Sequence, residues 1–204
     1  DRTTQAILPL RGKILNVASA SRDKVGANQE INDIIQALGC GSGKHFSLQA
    51  LRYEKIIIMT DADVDGAHIA SLLMTFFYHE LPTLVREGHL YLARPPLYRL
   101  THNKQHYYLL NEEEKEKKLQ ELASRRGPVE VARFKGLGEM TPAQLKETTM
   151  APQTRSLQRV QLPPGEGADI AAHMAALMGR KPELRFRFIQ EEARQRGHAA
   201  ITAL

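Results

Sequence analysis

The chain has 204 residues, of which 42% are hydrophobic and 25% are charged, as in ordinary globular proteins with one large or two small domains. Its net charge of +5 is compatible with a polyanionic partner, and no apolar run approaches the ~20 residues that a membrane span needs. Cys40 is the only cysteine, which excludes an internal disulfide and fits a reducing compartment. Residues 1–4 do not resemble a signal peptide, and because no initiator Met is present we expect a piece of a longer protein.

The first segment with a clear pattern is residues 7–17, an apolar frame that Pro9 and Gly12 interrupt. Pro9 removes a backbone donor and Gly12 permits unusual dihedral angles. If the segment is extended, Arg11 and Lys13 lie on the same side of it. The pattern therefore predicts a short basic edge beside a buried apolar frame.

A helix followed by a glycine-rich loop comes next. Asn28 is a suitable N-cap for a helix that ends at Gly39. The following residues, 39–44, look like a phosphate-binding loop but lack its requirements. Leu38 occupies the place of the first glycine, His45 stands where Ser or Thr is needed, and a helix precedes the loop instead of a strand. We therefore interpret this stretch as a flexible helix-to-strand connection.

Three carboxylates then follow a short apolar run. Residues 55–60 are rich in β-branched side chains and predict a buried strand, and residues 68–77 have the apolar spacing of a helix. Asp61, Asp63 and Asp65 lie between them, at the carboxyl end of the strand, where open α/β sheets place their ligands. Unit charges about 4 Å apart repel by roughly 4 kcal/mol at an effective dielectric near 20. A divalent cation with oxygen ligands, Mg²⁺, Mn²⁺ or Ca²⁺, would compensate this repulsion.

Several kinds of site share this acidic pattern. An EF-hand needs a bidentate Glu at its twelfth position, where this chain has Leu72, so an EF-hand is excluded. A phosphotransferase of the haloacid dehalogenase type, with Asp61 as nucleophile, remains open on the local pattern. A TOPRIM site, as in topoisomerases and primases, remains open as well. The plainer interpretation is a solvated acidic turn without a metal.

The second half of the chain predicts a mixture of short strands and helices. Strands are expected at residues 89–93, 97–101, 105–110, 129–134 and 156–162, and helices at 112–124, 141–148, 168–178 and 182–195. Residues 102–104 indicate a turn, and Thr141 begins a capping box with Pro142 at the first helical position. The glycines of residues 135–140 indicate a tight turn, either near a phosphate or purely structural.

Four of these segments, in this order, resemble the B subunit of bacterial type IIA topoisomerases: residues 7–17, 58–69, 134–140 and 147–150. The resemblance covers nearly the whole chain. It implies an α/β TOPRIM domain, with a Rossmann-like and mostly parallel sheet flanked by helices, over residues 1–95. Residues 96–204 would then form an α+β tail region.

The same resemblance implies that parts of the family's machinery lie outside this chain. The family's Glu-containing loop and first TOPRIM strand precede the segment that residues 7–17 resemble, and its Glu is a metal ligand and general acid/base. The ATP-binding domain lies further upstream. We therefore expect a partial catalytic site, no ATP site, and no DNA cleavage by the chain alone.

The resemblance also assigns site residues and partners. The expected Mg²⁺ ligands are Asp61, Asp63 and Asp65. The expected DNA contacts are Arg11, Lys13, Asn16 and His68. The nucleophile would be a tyrosine of an A subunit within an A2B2 assembly that acts on double-stranded DNA in the cytoplasm, at the nucleoid.

Within the family, residues 133–135 and 142–146 and the absence of a long insertion favour the topoisomerase IV branch, with DNA gyrase as the alternative. Two hypotheses from other classes stay open from the residues alone. One is a haloacid-dehalogenase-like phosphatase, and the other is a DNA-binding module without enzymatic activity.

Overall fold

A computed structural model describes residues 1–162 and 167–196. The chain forms two compact units, and their segments alternate along the sequence. The first, which we call the helical unit, comprises Asp1–Ile56, His68–Leu90 and the residues from Val160 onward. The second, the sheet unit, comprises Ile57–Ala67 and Tyr91–Arg159. The predicted division at residue 95 follows sequence order instead, and it stays a prediction.

The secondary structure alternates between the two types, and the α/β class is confirmed. The helices are α1 (Arg22–Ala27), α2 (Gln29–Leu38), α3 (Val64–Glu80), α4 (Pro82–Arg86), α5 (Glu112–Ala123), α6 (Pro142–Leu145), α7 (Gly167–Met178) and α8 (Pro182–Arg196). The strands are β1 (Ile56–Ile58), β2 (Leu90–Ala93), β3 (Tyr98–His102), β4 (Gln105–Leu109), β5 (Val129–Arg133) and β6 (Leu157–Arg159). No helix in the described ranges is long and apolar enough to cross a membrane.

The predicted caps define the ends of α2 in the helical unit. Oδ1 of Asn28 accepts the N–H of Ile31 at 3.0 Å, and Gly39 ends the helix with φ +74°. Only glycine adopts this left-handed conformation without strain. Of the four apolar positions that give this helix its predicted spacing, Ile31, Ile34 and Leu38 are buried and Ile35 is half-buried. On α3 the buried apolar side chains include Leu72, Leu73, Phe76 and Phe77.

The strands form two small sheets, in the orders β1-β2-β6 and β4-β3-β5. The pairs with a described register, β2–β6, β3–β4 and β3–β5, are all antiparallel. The mostly parallel sheet is expected within residues 1–95, where the strands are β1 and β2, and each of these three pairs includes a strand beyond residue 95. The parallel arrangement therefore stays a prediction.

The second sheet carries the core of the sheet unit. Asn103 and Lys104 have φ values of +49° and +66° at the tight turn between β3 and β4, which confirms the turn predicted for residues 102–104. Helix α5 covers one face, where Leu122 joins Leu100 and Leu109 in a buried cluster.

Two lysines of α5 add further contacts to that sheet. The ammonium groups of Lys115 and Lys118 each lie 4.8 Å from a ring centroid, those of Tyr98 and Tyr107 respectively. Such cation–π contacts let the charged helix pack on the sheet without burying its charges.

Three features of the helices differ from the predictions. Helix α3 begins at Val64 and not at residue 68, because the side chain of Asp63 caps its first turn. Helix α1 has no counterpart among the predicted elements, and Ser21 before it makes no side-chain capping bond. The capping box of Thr141 is confirmed, but the helix that it starts continues as a π-helical turn, Lys146–Met150.

Candidate metal centre

The acidic loop, residues 61–66, connects β1 to α3 and belongs to the sheet unit. Ile58 of β1 is buried, and Ile56 and Ile57 are half-buried. Asp61, Asp63 and Asp65 are all exposed. The three carboxylates thus lie in solvent after a strand, as the pattern predicts, but that strand is only partly buried.

Asp63 is the N-cap residue of α3. Its Oδ1 accepts the backbone N–H of Gly66 at 2.7 Å, and its carbonyl accepts the N–H of Ala67 at 2.9 Å. This is the N-cap arrangement, in which a carboxylate satisfies a donor that the first turn of a helix leaves unpaired. Asp65 falls within the first turn, where negative charge is favourable to the helix dipole. The sequence contains this signal, an Asp three residues before Gly66, but the prediction of a metal site did not include it.

Asp61 is held from a distant part of the chain. Its Oδ1 accepts the backbone N–H of Leu137 at 2.8 Å, a contact between residues 76 positions apart. Its own backbone lies against Gly66, where a Cβ atom would come within 2.0 Å of the Asp61 carbonyl oxygen. Glycine at position 66 therefore permits the first turn of α3 to pack directly on Asp61.

The loop that reaches Asp61 is the one with two glycines, residues 135–140. Its sequence fits both a turn near a phosphate and a plain turn. In the structure it contains a single 3₁₀ turn, Leu137–Glu139, and Gly136 lies against the Asp61 carboxylate. Sequence reasoning does not find this contact, because nothing in either motif indicates that they meet across 76 residues.

Asp61 and Asp63 are the two carboxylates of this loop with a described backbone anchor, and they are the candidates to hold a hard divalent cation as a partial site. Each of Asp61 and Asp63 uses Oδ1 for a backbone N–H, and among the described residues no hydrogen bond is seen to either Oδ2. In residues 1–162 and 167–196, no three Asp, Glu, His or Cys side chains come together as a metal-binding set. Mg²⁺ binds through one or two carboxylates and keeps several waters, so this pair of acids suits it better than it suits a cation that needs a full protein cage.

An open cleft of about 210 Å³ adjoins Asp61 within the sheet unit. The residues that line it are Thr60, Asp61, Ala62, Ala93, Arg94, Pro95, Leu97 and Leu110. The cleft thus brings the start of the acidic loop and the cationic Arg94 to one concave surface.

The four predicted DNA contacts, Arg11, Lys13, Asn16 and His68, all belong to the helical unit. Arg11 and Lys13 are exposed. Of the predicted apolar frame, Ile14 is buried, whereas Ile7 and Leu8 are exposed, so the frame is confirmed only in part. His68 is exposed on α3. The assignment of these residues to DNA stays a prediction.

Asn16 has an additional, structural role in the helical unit. Its Nδ2 donates to the carbonyl oxygen of Met178 at 2.9 Å, and its Oδ1 accepts the N–H of Ala18 at 3.1 Å. An amide has two donor hydrogens and two acceptor lone pairs, so these bonds leave one of each for another ligand. We therefore expect replacement of Asn16 to disturb the fold as well as any DNA contact.

Comparison with known proteins supports the TOPRIM interpretation over the phosphatase alternative. Residues 1–95 match the family model of the Toprim domain, and residues 126–190 match the model described as DNA gyrase B subunit, carboxyl terminus. The B subunit of DNA topoisomerase 4 from Rickettsia conorii is 59% identical over 194 residues, which are 95% of this chain and 29% of that protein.

Two further relatives give the same result. The B subunit of DNA topoisomerase 4 from Caulobacter vibrioides is 59% identical over 193 residues, covering 95% of this chain and 28% of the relative. The B subunit of DNA gyrase from Treponema denticola is 49% identical over 193 residues, covering 95% of this chain and 30% of the relative. The chain spans less than a third of the length of these curated relatives. It belongs to the B-subunit family of bacterial type IIA topoisomerases and contains a TOPRIM domain and sequence of the family's carboxyl-terminal region.

Proposed function

We propose that this chain is the TOPRIM and tail part of a topoisomerase IV B subunit. Together with an A subunit, the complete protein would cleave both strands of one DNA duplex, pass another through, and reseal the break in an ATP-dependent cycle. The relatives named as B subunits of DNA topoisomerase 4, at 59% identity against 49% for the gyrase relative, support this branch over gyrase.

The observation that carries the proposal is that Asp61 and Asp63 are both exposed and both anchored through one oxygen. Both residues follow β1, and in each the anchored oxygen is Oδ1, which accepts one backbone N–H. We propose that the second oxygens hold Mg²⁺, which Mn²⁺ or Ca²⁺ can replace, with Asp65 as an additional acid. When bound, the cation would polarise a DNA phosphate and stabilise the charge that develops on it.

The role proposed for the basic residues is to position the duplex. Arg11 and Lys13 would contact phosphates, with Asn16 and His68 as further polar contacts. Phosphate contacts fix the orientation of a duplex without reading its sequence. None of the six tyrosines of this chain is proposed as the nucleophile, which would come from the A subunit.

Three narrower statements complete the proposal. The 204-residue chain alone should bind Mg²⁺ weakly and should not cleave DNA, because the proposal gives it a partial set of metal ligands and places the nucleophile in the A subunit. The ATP site would lie in another domain of the complete B subunit. The working assembly would be an A2B2 heterotetramer that acts on DNA at the nucleoid, in the bacterial cytoplasm.

The test is an activity assay on the complete B subunit together with its A subunit. Catenated and supercoiled DNA circles are incubated with Mg²⁺, with and without ATP, and the products are separated on gels. ATP-dependent decatenation and relaxation without negative supercoiling are expected. Introduction of negative supercoils would instead assign the protein to gyrase, and absence of both activities would contradict the proposal.

A further inference from the structure

The loop of residues 135–140 contacts the Asp61 carboxylate through two neighbouring residues. The N–H of Leu137 donates to Oδ1 at 2.8 Å, and Gly136 lies so close that a Cβ atom there would be 2.9 Å from the same oxygen. All these residues belong to the sheet unit. The direction of the Asp61 carboxylate therefore depends on the shape of a loop 76 residues away.

The shape of that loop depends on Glu139. Its Oε2 accepts the N–H of Lys135 at 2.7 Å, which joins the two ends of the turn. The backbone adds two weaker closures, from the N–H of Glu139 to the Gly136 carbonyl at 3.2 Å and from that of Met140 to the Leu137 carbonyl at 3.1 Å. A carboxylate that accepts a backbone N–H makes a stronger bond than a neutral acceptor does. The side chain of Glu139 is thus the firmest described closure of the turn that presents Leu137 to Asp61.

The two glycines of the loop serve different purposes. Gly136 has extended dihedrals, φ −164° and ψ 174°, which any residue can adopt, so its requirement for glycine comes from space. A Cβ atom there would meet Oδ1 at 2.9 Å and Cγ of Asp61 at 3.0 Å. At Gly138, a Cβ atom would meet nothing within 4 Å. An alanine should therefore displace the Asp61 carboxylate at position 136 and leave it undisturbed at position 138.

We infer that Glu139 is a positioning residue for the metal site, and that residues 135–139 act as a backbone clamp on Asp61. The inference rests on the proposed function, in which Oδ2 of Asp61 binds the cation. With Oδ1 held by Leu137, the other oxygen keeps one direction, so the carboxylate does not have to be ordered when the cation arrives. Outer contacts of this kind typically change metal affinity by about 10–100-fold.

Glu139 acts through its acceptor oxygen, which its charge strengthens but does not create, and this distinguishes it from a metal ligand. Gln at position 139 keeps a side-chain oxygen for the Lys135 N–H and loses the negative charge. Ala removes both. A residue that attracts the cation directly would lose its effect in either variant, whereas a positioning residue is restored by Gln.

The experiment compares four variants of the complete B subunit with wild type: Glu139→Ala, Glu139→Gln, Gly136→Ala and Gly138→Ala. Mn²⁺ affinity is measured by electron paramagnetic resonance of the free ion, without DNA or the A subunit. Hydrogen exchange of the Leu137 amide is measured without metal, and a thermal melt checks the fold. Mg²⁺-dependent DNA cleavage is then measured with the A subunit present.

We expect Glu139→Ala and Gly136→Ala to weaken Mn²⁺ binding by about 10–100-fold and to speed exchange at Leu137, with melting close to wild type. Gly138→Ala should resemble wild type in both measurements, and Glu139→Gln should lie much closer to wild type than Glu139→Ala does. Unchanged Mn²⁺ affinity in Glu139→Ala and Gly136→Ala would overturn the inference, and so would equal loss in Glu139→Gln and Glu139→Ala. If the variants differ in Mn²⁺ affinity as expected but the wild-type complex cleaves no DNA, the proposed function is contradicted and the clamp is still supported.

Discussion

The backbone N–H of Leu137 donates to Oδ1 of Asp61 over 2.8 Å, and this bond joins the two motifs that mark the chain most strongly. The motif of residues 61–66 contains exposed carboxylates. The motif of residues 135–138 is a turn with two glycines and no carboxylate. Together they give an exposed carboxylate with one oxygen held by a backbone N–H.

Gly66→Ala should destabilise the start of α3, because its Cβ atom would lie 2.0 Å from the Asp61 carbonyl oxygen. The backbone at residue 66 or at Asp61 would have to move. We therefore expect the free energy of unfolding to fall by more than about 1 kcal/mol and the melting temperature to be lower. Gly26→Ala in α1 is the matched control, because a Cβ atom there meets nothing within 4 Å. The control should be neutral or stabilising by roughly 0.5–1 kcal/mol. Equal melting temperatures for the two variants would contradict the close contact at Gly66.

The acidic loop could be predicted from the sequence, but the way it is held could not. A strand before Asp61 and the helical spacing after residue 68 are enough to place the carboxylates, since both signals are local. The cap at Asp63 is also local, and it escapes prediction because a metal motif and an N-cap use the same residue type. The bond to Leu137 joins residues 76 positions apart and cannot be read from either segment alone.

The sheets show the same division between local and distant information. The turn at Asn103 and Lys104 and the cap at Asn28 are predictable because each depends on a few neighbouring residues. The pairing of β2 with β6 is not, because the register of strands over 60 residues apart is decided by packing and has no local signal. The π-helical turn Lys146–Met150 is also beyond prediction, since it continues an ordinary helical pattern.

Leu122→Ala should unfold the sheet unit more easily. Leu122 is 1% exposed and packs with Leu100 and Leu109 between α5 and the sheet, so truncation leaves a cavity. Replacement of a buried Leu by Ala typically costs about 2–5 kcal/mol. The measurement is urea unfolding followed by circular dichroism, with the exposed Gln120→Ala on the same helix as control. A midpoint equal to that of Gln120→Ala would show that α5 does not contribute to the core.

Cys40 should resist alkylation in the folded protein. Its side chain is 1% exposed, and burial raises the pKa of the thiol, so the reactive thiolate is scarce near neutral pH. Iodoacetamide labelling at pH 7.5, quantified by mass spectrometry, should be slow in native buffer and rapid in urea. The raised pKa of the Cys40 thiol stabilises the folded state at pH values below the thiol pKa of the unfolded chain. This stabilisation is lost as the pH rises through the thiol pKa of the folded protein, so labelling should accelerate in alkaline buffer. Rapid labelling in native buffer at pH 7.5 would contradict the burial of Cys40.

Lys13→Ala should weaken DNA binding in the complete complex without unfolding it. Lys13 is exposed beside the buried Ile14, so the apolar frame can keep its packing when the charge is removed. Loss of one phosphate contact should reduce the slope of log K against log salt concentration by roughly 0.9. Duplex affinity is measured over a salt series, with a thermal melt for the fold.

The control for that series is Lys117→Ala, which removes the same charge from the exposed side of α5. It should leave the salt slope unchanged if binding depends on particular contacts and not on net charge. An unchanged slope in Lys13→Ala, or an equal change in both variants, would remove the assignment of Lys13 to DNA.

The most direct measurement of the central claim is Mg²⁺-dependent DNA cleavage by the complete complex carrying Asp61→Asn. Asn keeps an oxygen for the Leu137 N–H, so the loop should stay in place, while the anionic ligand for the cation is lost. Asp23→Asn, an exposed acid in α1, is the charge-matched control. We expect cleavage by Asp61→Asn to fall by about 100-fold or more at wild-type Mg²⁺ concentrations, with the control unaffected. Wild-type cleavage by Asp61→Asn, with the same Mg²⁺ dependence, would contradict the assignment of Asp61 as a metal ligand.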